Sequence, residues 1–304
     1  MTDSHWDRVE RYLGHDALTQ LSKKKVAIIG LGSGGGFVAQ SLAMSGVGSF
    51  VLIDSDELEH ANVVRHVADI RYVGKPKVEA VAELIHYRNP NAQVEAVNGR
   101  IEQHGDKLTG ADLVIAGVDG EQSKYVINGL CRAKNLTAIY AGVYERGEGG
   151  DVVVIYPSGS GPCYACWADQ LREDINEANP GETQLDYGMI GPDGTIAAEP
   201  GLWLHVARVA SVQADLALNE LLKGQPVHRD YPANTVILAN VALEVMEGLI
   251  LPPYSAQWIN VPRNPHCMVC GTGEEAAKAL SLDELVSDLA ASDEDRQQME
   301  DSQA

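Results

Sequence analysis

The chain has 304 residues, 45% of them hydrophobic, and a formal net charge of −20. That length can bury a large core, so a single α/β domain with insertions is expected rather than two independent ones. The acidic balance excludes nucleic acid and anionic membranes as principal partners, because binding phosphate needs clustered cations.

Met1–Glu10 is polar and charged, with no apolar run behind basic residues. No stretch approaches the roughly 18 consecutive apolar residues of a membrane span, so a cytoplasmic protein is expected. Residues 1–22 read as an N-terminal arm leading into a helix over Trp6–Leu21. A buried strand, Val26–Ile29, then runs into Gly30-Leu31-Gly32-Ser33-Gly34-Gly35-Gly36. Gly30, Gly32 and Gly35 satisfy G-x-G-x-x-G, and a helical pattern follows (Phe37, Val38, Leu42, Met44). Glycine lets the backbone turn tightly and come close to a phosphate, which the free N–H groups and dipole of a helix N-terminus favour. Asp54 ends the second strand, Phe50–Ile53, where an acid can accept hydrogen bonds from ribose hydroxyls. To this point NAD, FAD, S-adenosylmethionine and ATP all fit.

Asp56, Asn62, Arg65 and the run Gly74-Lys75-Pro76-Lys77 come next. A dehydrogenase has no use for further cationic and amide groups just past its second strand. A triphosphate whose α-phosphate is being attacked does, because charge redistributes during transfer. Lys75–Tyr87 reads as a helix, Gln93–Val97 as a half-buried strand, and Asp112–Ala116 as a buried strand with Asp119 at its carboxyl end. A helix over Gln122–Ala133 and a strand over Thr137–Ala141 continue the alternation. This rhythm implies a mostly parallel sheet with flanking helices, whose ligand sits beyond the carboxyl ends of the strands.

After Gly142, Asp151–Tyr156 reads as a strand, and Cys163 and Cys166 follow. The segment 168–198 is rich in acids, Asn, Pro and Gly and reads as a crossover loop. Pro200–Leu222 is a long helix with an apolar surface broad enough for a core or dimer position. Cys267 and Cys270 complete a second C-x-x-C. Two such pairs fit a closed, structural four-thiolate zinc site better than a redox pair, so the zinc would pin the start of the crossover segment to the end of the fold. Residues 273–304 form an acidic tail, with ten acidic and two basic residues from Glu274 to Ala304.

Leu52-Ile53-Asp54-Ser55-Asp56, Asn62-Val63-Val64-Arg65, Gly74-Lys75-Pro76-Lys77, Asp112–Ile115 with Asp119, and Arg263–Gly271 together resemble the ThiF/MoeB superfamily of ubiquitin-activating-enzyme-like adenylyltransferases. The resemblance covers residues 23–272 and implies a Rossmann-like adenylation domain. It implies ATP and magnesium as ligands, with Gly30, Gly32, Gly35, Asp54 and Asp56 binding the nucleotide. Asn62, Arg65 and Lys77 would act on the transferred group, and Asp119 would face the metal-bound phosphates. It implies a homodimer in which an arginine of the N-terminal arm, Arg8 or Arg11, reaches a phosphate. The expected substrate is the C-terminal carboxylate of a small ubiquitin-like or sulfur-carrier protein, converted to an acyl-adenylate with no thioester on this chain. A binding module of the same fold without turnover, and a nicotinamide-dependent oxidoreductase, are the other classes weighed. Pyrophosphate exchange separates them.

Overall fold

The structure is a computed structural model that describes residues 4–159, 161–170, 189–190, 196–197, 201–246 and 248–271. Most of the crossover loop 168–198 and all of the tail 273–304 lie outside the described residues.

Five strands form a parallel half-sheet: β1 (Lys25–Ile29), β2 (Ser49–Asp54), β3 (Gln93–Asn98), β4 (Leu113–Ala116) and β5 (Ala138–Val143), in the spatial order β3-β2-β1-β4-β5. Val26–Ile29 and Leu113–Ala116 are buried without interruption, as befits strands covered on both faces. β3 is the edge strand and turns Gln93, Glu95 and Asn98 to solvent. Connecting helices are α3 (Ser33–Met44), α4 (Lys77–Arg88) and α5 (Glu121–Lys134).

Each fully buried Ile, Leu or Val contributes about 1.5–3 kcal/mol, and two clusters of such residues line the two sheet faces. One holds the apolar sides of α3 and α4. The other holds α5, whose apolar stripe includes Val126, Ile127 and Cys131.

Beyond β5 the sheet changes sense. β6 (Gly149–Ile155) pairs antiparallel to β5, and three pairs extend it to eight strands. The small pair β7 (Met189–Ile190) and β8 (Ile196–Ala197) stands apart. β9 (Thr235–Ala239) pairs antiparallel to β6, β10 (Leu243–Met246) and β11 (Leu249–Leu251) form a separate hairpin, and β12 (Ser255–Ile259) closes the main sheet beside β9. β6 matches the strand expected over Asp151–Tyr156, whereas the short buried run of β9 and the irregular pattern of β12 carry no period that announces them.

The expected N-terminal helix is two helices, α1 (Asp7–Leu13) and α2 (His15–Leu21), broken at Gly14, whose φ of +90° ends the first. Helix α6 (Trp203–Leu221) packs on α3 and on β4 to β6 through Val209, Ala210, Ala214 and Ala217. Its Gln213 amide donates to the carbonyls of Ala116 (3.1 Å) and Ile139 (3.0 Å), which settles a polar group in the core. Leu202 and Leu204 at its start are exposed.

Candidate nucleotide site and thiolate cluster

A cavity of about 440 Å³ opens at the carboxyl ends of the parallel strands. Gly30, Gly32, Asp54, Asp56, Asn62, Arg65, Lys77 and Asp119 all line it. The glycine loop earns its composition locally. Gly30 has φ of +83°, and a Cβ there would sit 2.6 Å from the Gly117 carbonyl carbon. A Cβ on Gly35 would lie 1.9 Å from the Gly30 oxygen, so Gly35 serves close packing of α3 on β1 and does not line the cavity. Around Gly32, the residue that caps α3, a Cβ would meet nothing within 4 Å, which leaves the backbone open to a phosphate.

Asp54 is positioned by its own neighbours. One oxygen accepts the Leu31 N–H at 2.5 Å and the other the Asp56 N–H at 2.8 Å. Burial raises its pKa, the two N–H donors and Lys77 pulling the other way. Lys77, the first residue of α4, donates from Nζ to Asp56 at 2.7 Å. Its side chain is 12% exposed against 63% for Asp56, so the pair adds under about 1 kcal/mol and serves to aim the amine.

Asn62 and Arg65 lie on a short 3-10 helix, His60–Arg65. The Asn62 carbonyl oxygen accepts the Glu59 N–H at 3.2 Å in a capping box, which leaves its amide N–H groups for a ligand. His66 latches this segment to the glycine loop: Nε2–H donates to the Leu31 carbonyl at 2.7 Å, and Nδ1 accepts the Ala68 N–H at 2.9 Å. Those two partners fix a neutral ring, and burial lowers its pKa. Nothing in the sequence singled out His66 beyond its place after Arg65.

Also unannounced are Arg100, Glu102, Ser123 and Lys124, all lining the cavity. Lys124 is buried on α5 and donates to Glu121 at 3.1 Å, and the Tyr164 hydroxyl donates to the same carboxylate. Asp151 on β6 belongs to this charged nest. Burial raises its pKa to about 7, and Lys124 draws it back down. A cation five residues after Asp119, on the buried face of α5, was the available signal. Asp119 lies exposed at the rim and has no hydrogen-bond partner among the described residues. Arg8 and Arg11 are exposed on α1, outside the cavity lining, and Arg11 pairs with Asp7 at 2.9 Å.

The four cysteines come together away from this cavity. Their sulfurs all lie within 4.8 Å of one another, with Cys166–Cys270 at 3.2 Å, Cys163–Cys267 at 3.7 Å and Cys163–Cys166 at 3.8 Å. A tetrahedron with Zn–S bonds of about 2.3 Å has edges of about 3.8 Å, so the donor set fits zinc. Burial pushes the Cys163 and Cys166 thiols up, a cost that a bound cation reverses. The Tyr164 N–H donates to Asn128 of α5, which ties the cluster to the helix that begins at the cavity.

Comparison with known proteins follows the same geometry. The model described as "ThiF family" matches residues 7–247. The SAMP-activating enzyme E1 of Haloferax volcanii is 27% identical over 275 residues, covering 88% of this chain and 89% of that protein. Ubiquitin-like modifier-activating enzyme 5 of Caenorhabditis briggsae is 32% identical over 160 residues, 48% of this chain, and the match spans 37% of that protein's length. The crystal structure of E. coli MccB with ATP superposes with a TM-score of 0.63 at 22% identity, over 89% of this chain and 75% of that one.

Proposed function

Because the chain belongs to the ThiF family, we propose that it is an ATP-dependent adenylyltransferase activating the C-terminal carboxylate of a ubiquitin-like or sulfur-carrier protein. The observation that carries this reading is the convergence of Gly32, Asp54, Asn62, Arg65, Lys77 and Asp119, from five separate segments, on one cavity. The names of its relatives support the substrate class: one activates SAMP, another a ubiquitin-like modifier.

A substrate carboxylate oxygen attacks the α-phosphorus of ATP. The bond to the bridging oxygen of the β-phosphate breaks, and pyrophosphate leaves with the electron pair. No general base is needed, since an α-carboxyl with a pKa of about 3.5 is ionised at neutral pH. The first turn of α3 receives the phosphates. Asp54 holds the ribose, and Asp56 keeps Lys77 aimed. Lys77, Arg65 and Asn62 neutralise charge around the phosphorus, so the barrier falls by positioning and electrostatics. Asp119 fits a magnesium ion, which takes one or two carboxylates beside phosphate oxygens and supplies charge neutralisation when bound. Cys163, Cys166, Cys267 and Cys270 would hold a zinc ion, which would serve the fold and not the reaction. A homodimer, with Arg8 or Arg11 serving a neighbouring copy, belongs to the same proposal.

The adenylate passes directly to an external nucleophile. The sequence has five cysteines, four of them in the cluster, and Cys131 is buried within α5.

The test is ATP–pyrophosphate exchange with the full chain, supplied with candidate carrier proteins bearing free C-terminal carboxylates. Carrier-dependent exchange is expected. Tight ATP binding without exchange across such carriers would reduce the chain to a binding module.

A further inference from the structure

Among the described residues that line the cavity, one buried carboxylate oxygen has no hydrogen-bond partner. Gly99 donates its N–H to the Asp54 carbonyl at 3.1 Å, so the segment that leaves β3 starts beside the acid assigned to the ribose. From there Arg100, Ile101 and Glu102 follow the cavity as the chain crosses back toward β4. Glu102 thereby meets α5, where the Ser123 hydroxyl donates to its Oε1 at 3.0 Å. Its Oε2 is sealed from solvent and accepts no hydrogen bond. A buried acceptor left unmade is costly, and a carboxylate more so than a neutral group. The terminal torsion of glutamate is broad, which leaves that oxygen able to turn toward a ligand in the cavity its residue lines. Ile101 and Val118 add apolar lining to the same cavity.

We propose that Glu102, braced by Ser123, accepts a hydrogen bond from the exocyclic amine of adenine and so selects ATP among nucleoside triphosphates. This rests on the nucleotide reading of the cavity and deepens it. A nucleotide whose ribose meets Asp54 and whose phosphates meet the α3 N-terminus has its base under the Gly99–Glu102 segment. Adenine offers an N–H₂ donor at its six position, where guanine offers a carbonyl oxygen. An acceptor-only carboxylate draws the first and repels the second. Guanine's adjacent donors suit a carboxylate with both oxygens open, and here Ser123 occupies one.

The test is direct calorimetric binding of ATP, GTP and purine riboside 5′-triphosphate, which lacks the amine, to the full chain with magnesium. The wild type should bind ATP about 10- to 100-fold tighter than the deaminated analogue, the range for a hydrogen bond to a charged group. Glu102→Ala should bind the two alike, with the affinity for the analogue unchanged, and Glu102→Gln should keep part of the preference through its amide oxygen. Equal affinity of the wild type for ATP and the analogue overturns the proposal without any variant having to fold. GTP binding as tight as ATP overturns it as well. If none of the three binds, the nucleotide reading itself has failed and the proposal falls with it.

Discussion

Lys77 and Arg65 are assigned to charge that develops during transfer, and removing either should cost orders of magnitude in exchange rate. Lys77→Ala and Arg65→Ala are expected to lower exchange by at least about 100-fold with an unchanged unfolding midpoint, since neither side chain belongs to the core. Near-normal exchange in a folded variant would remove that residue from the mechanism. Asp151 makes a different prediction, through pH. Its folded pKa is raised to about 7 by burial, against an ordinary value of 3.8. Between those values the folded chain holds a proton that the unfolded chain has released, so stability falls as pH rises through the window. Asp151→Asn mimics the protonated form and does not titrate. The variant should gain on the wild type from pH 5 to pH 8, by up to about 2–3 kcal/mol over that range. Denaturant melts at the two pH values decide it, and a constant difference would show that Asp151 is not held near neutrality.

Helices and strands place these residues by their ends. The carboxyl ends of β1, β2 and β4 deliver Gly30, Asp54 and Asp119, and the first turns of α3, α4 and α5 deliver Gly32–Gly34, Lys77 and Ser123–Lys124. The thiolate cluster acts at this scale too, since it joins the segment after β6 to the segment after β12 across 104 residues. Protein purified without chelator should carry one zinc per chain by elemental analysis. Cys267→Ser should lose it and unfold at a lower temperature, because metal binding adds to folding free energy. Thiols found as disulfides, with no bound metal, would point to redox chemistry instead.

For the molecule as a whole, the distribution of its cysteines constrains the reaction. Cys131 packs among Val126, Ile127 and Tyr140, and burial pushes its thiol up to about 12, so it supplies almost no thiolate at neutral pH. Incubation with ATP, magnesium and the cognate carrier should therefore give steady AMP release only when an external nucleophile is added. A reductant-sensitive adduct on the chain, abolished by Cys131→Ala, would contradict that. Among the described residues no helix is long and apolar enough to cross a membrane.

The glycine loop, Asp54, the Asn62–Lys77 segment and the paired C-x-x-C motifs were legible in the sequence, because each depends on residue type at short spacing. Glycine at a positive φ, a buried apolar strand and four thiolates at fixed intervals leave local signatures. Of the antiparallel half of the sheet, β6 was legible as a strand over Asp151–Tyr156, but β9 and β12 were not, since β9 joins β6 from a segment far along the chain and neither shows a clear alternation. The same holds for His66, Glu102, Ser123 and Asp151, whose roles come from partners brought to them by the fold. Glu102 reaches Ser123 only because the chain crosses back from β3 to β4, and Asp151 meets Lys124 only because β6 turns against β5. Residue type and short spacing determined which chemical groups were present and the local turns that hold them. Tertiary structure decided which were buried together, and so which carry a shifted pKa or an acceptor without a donor.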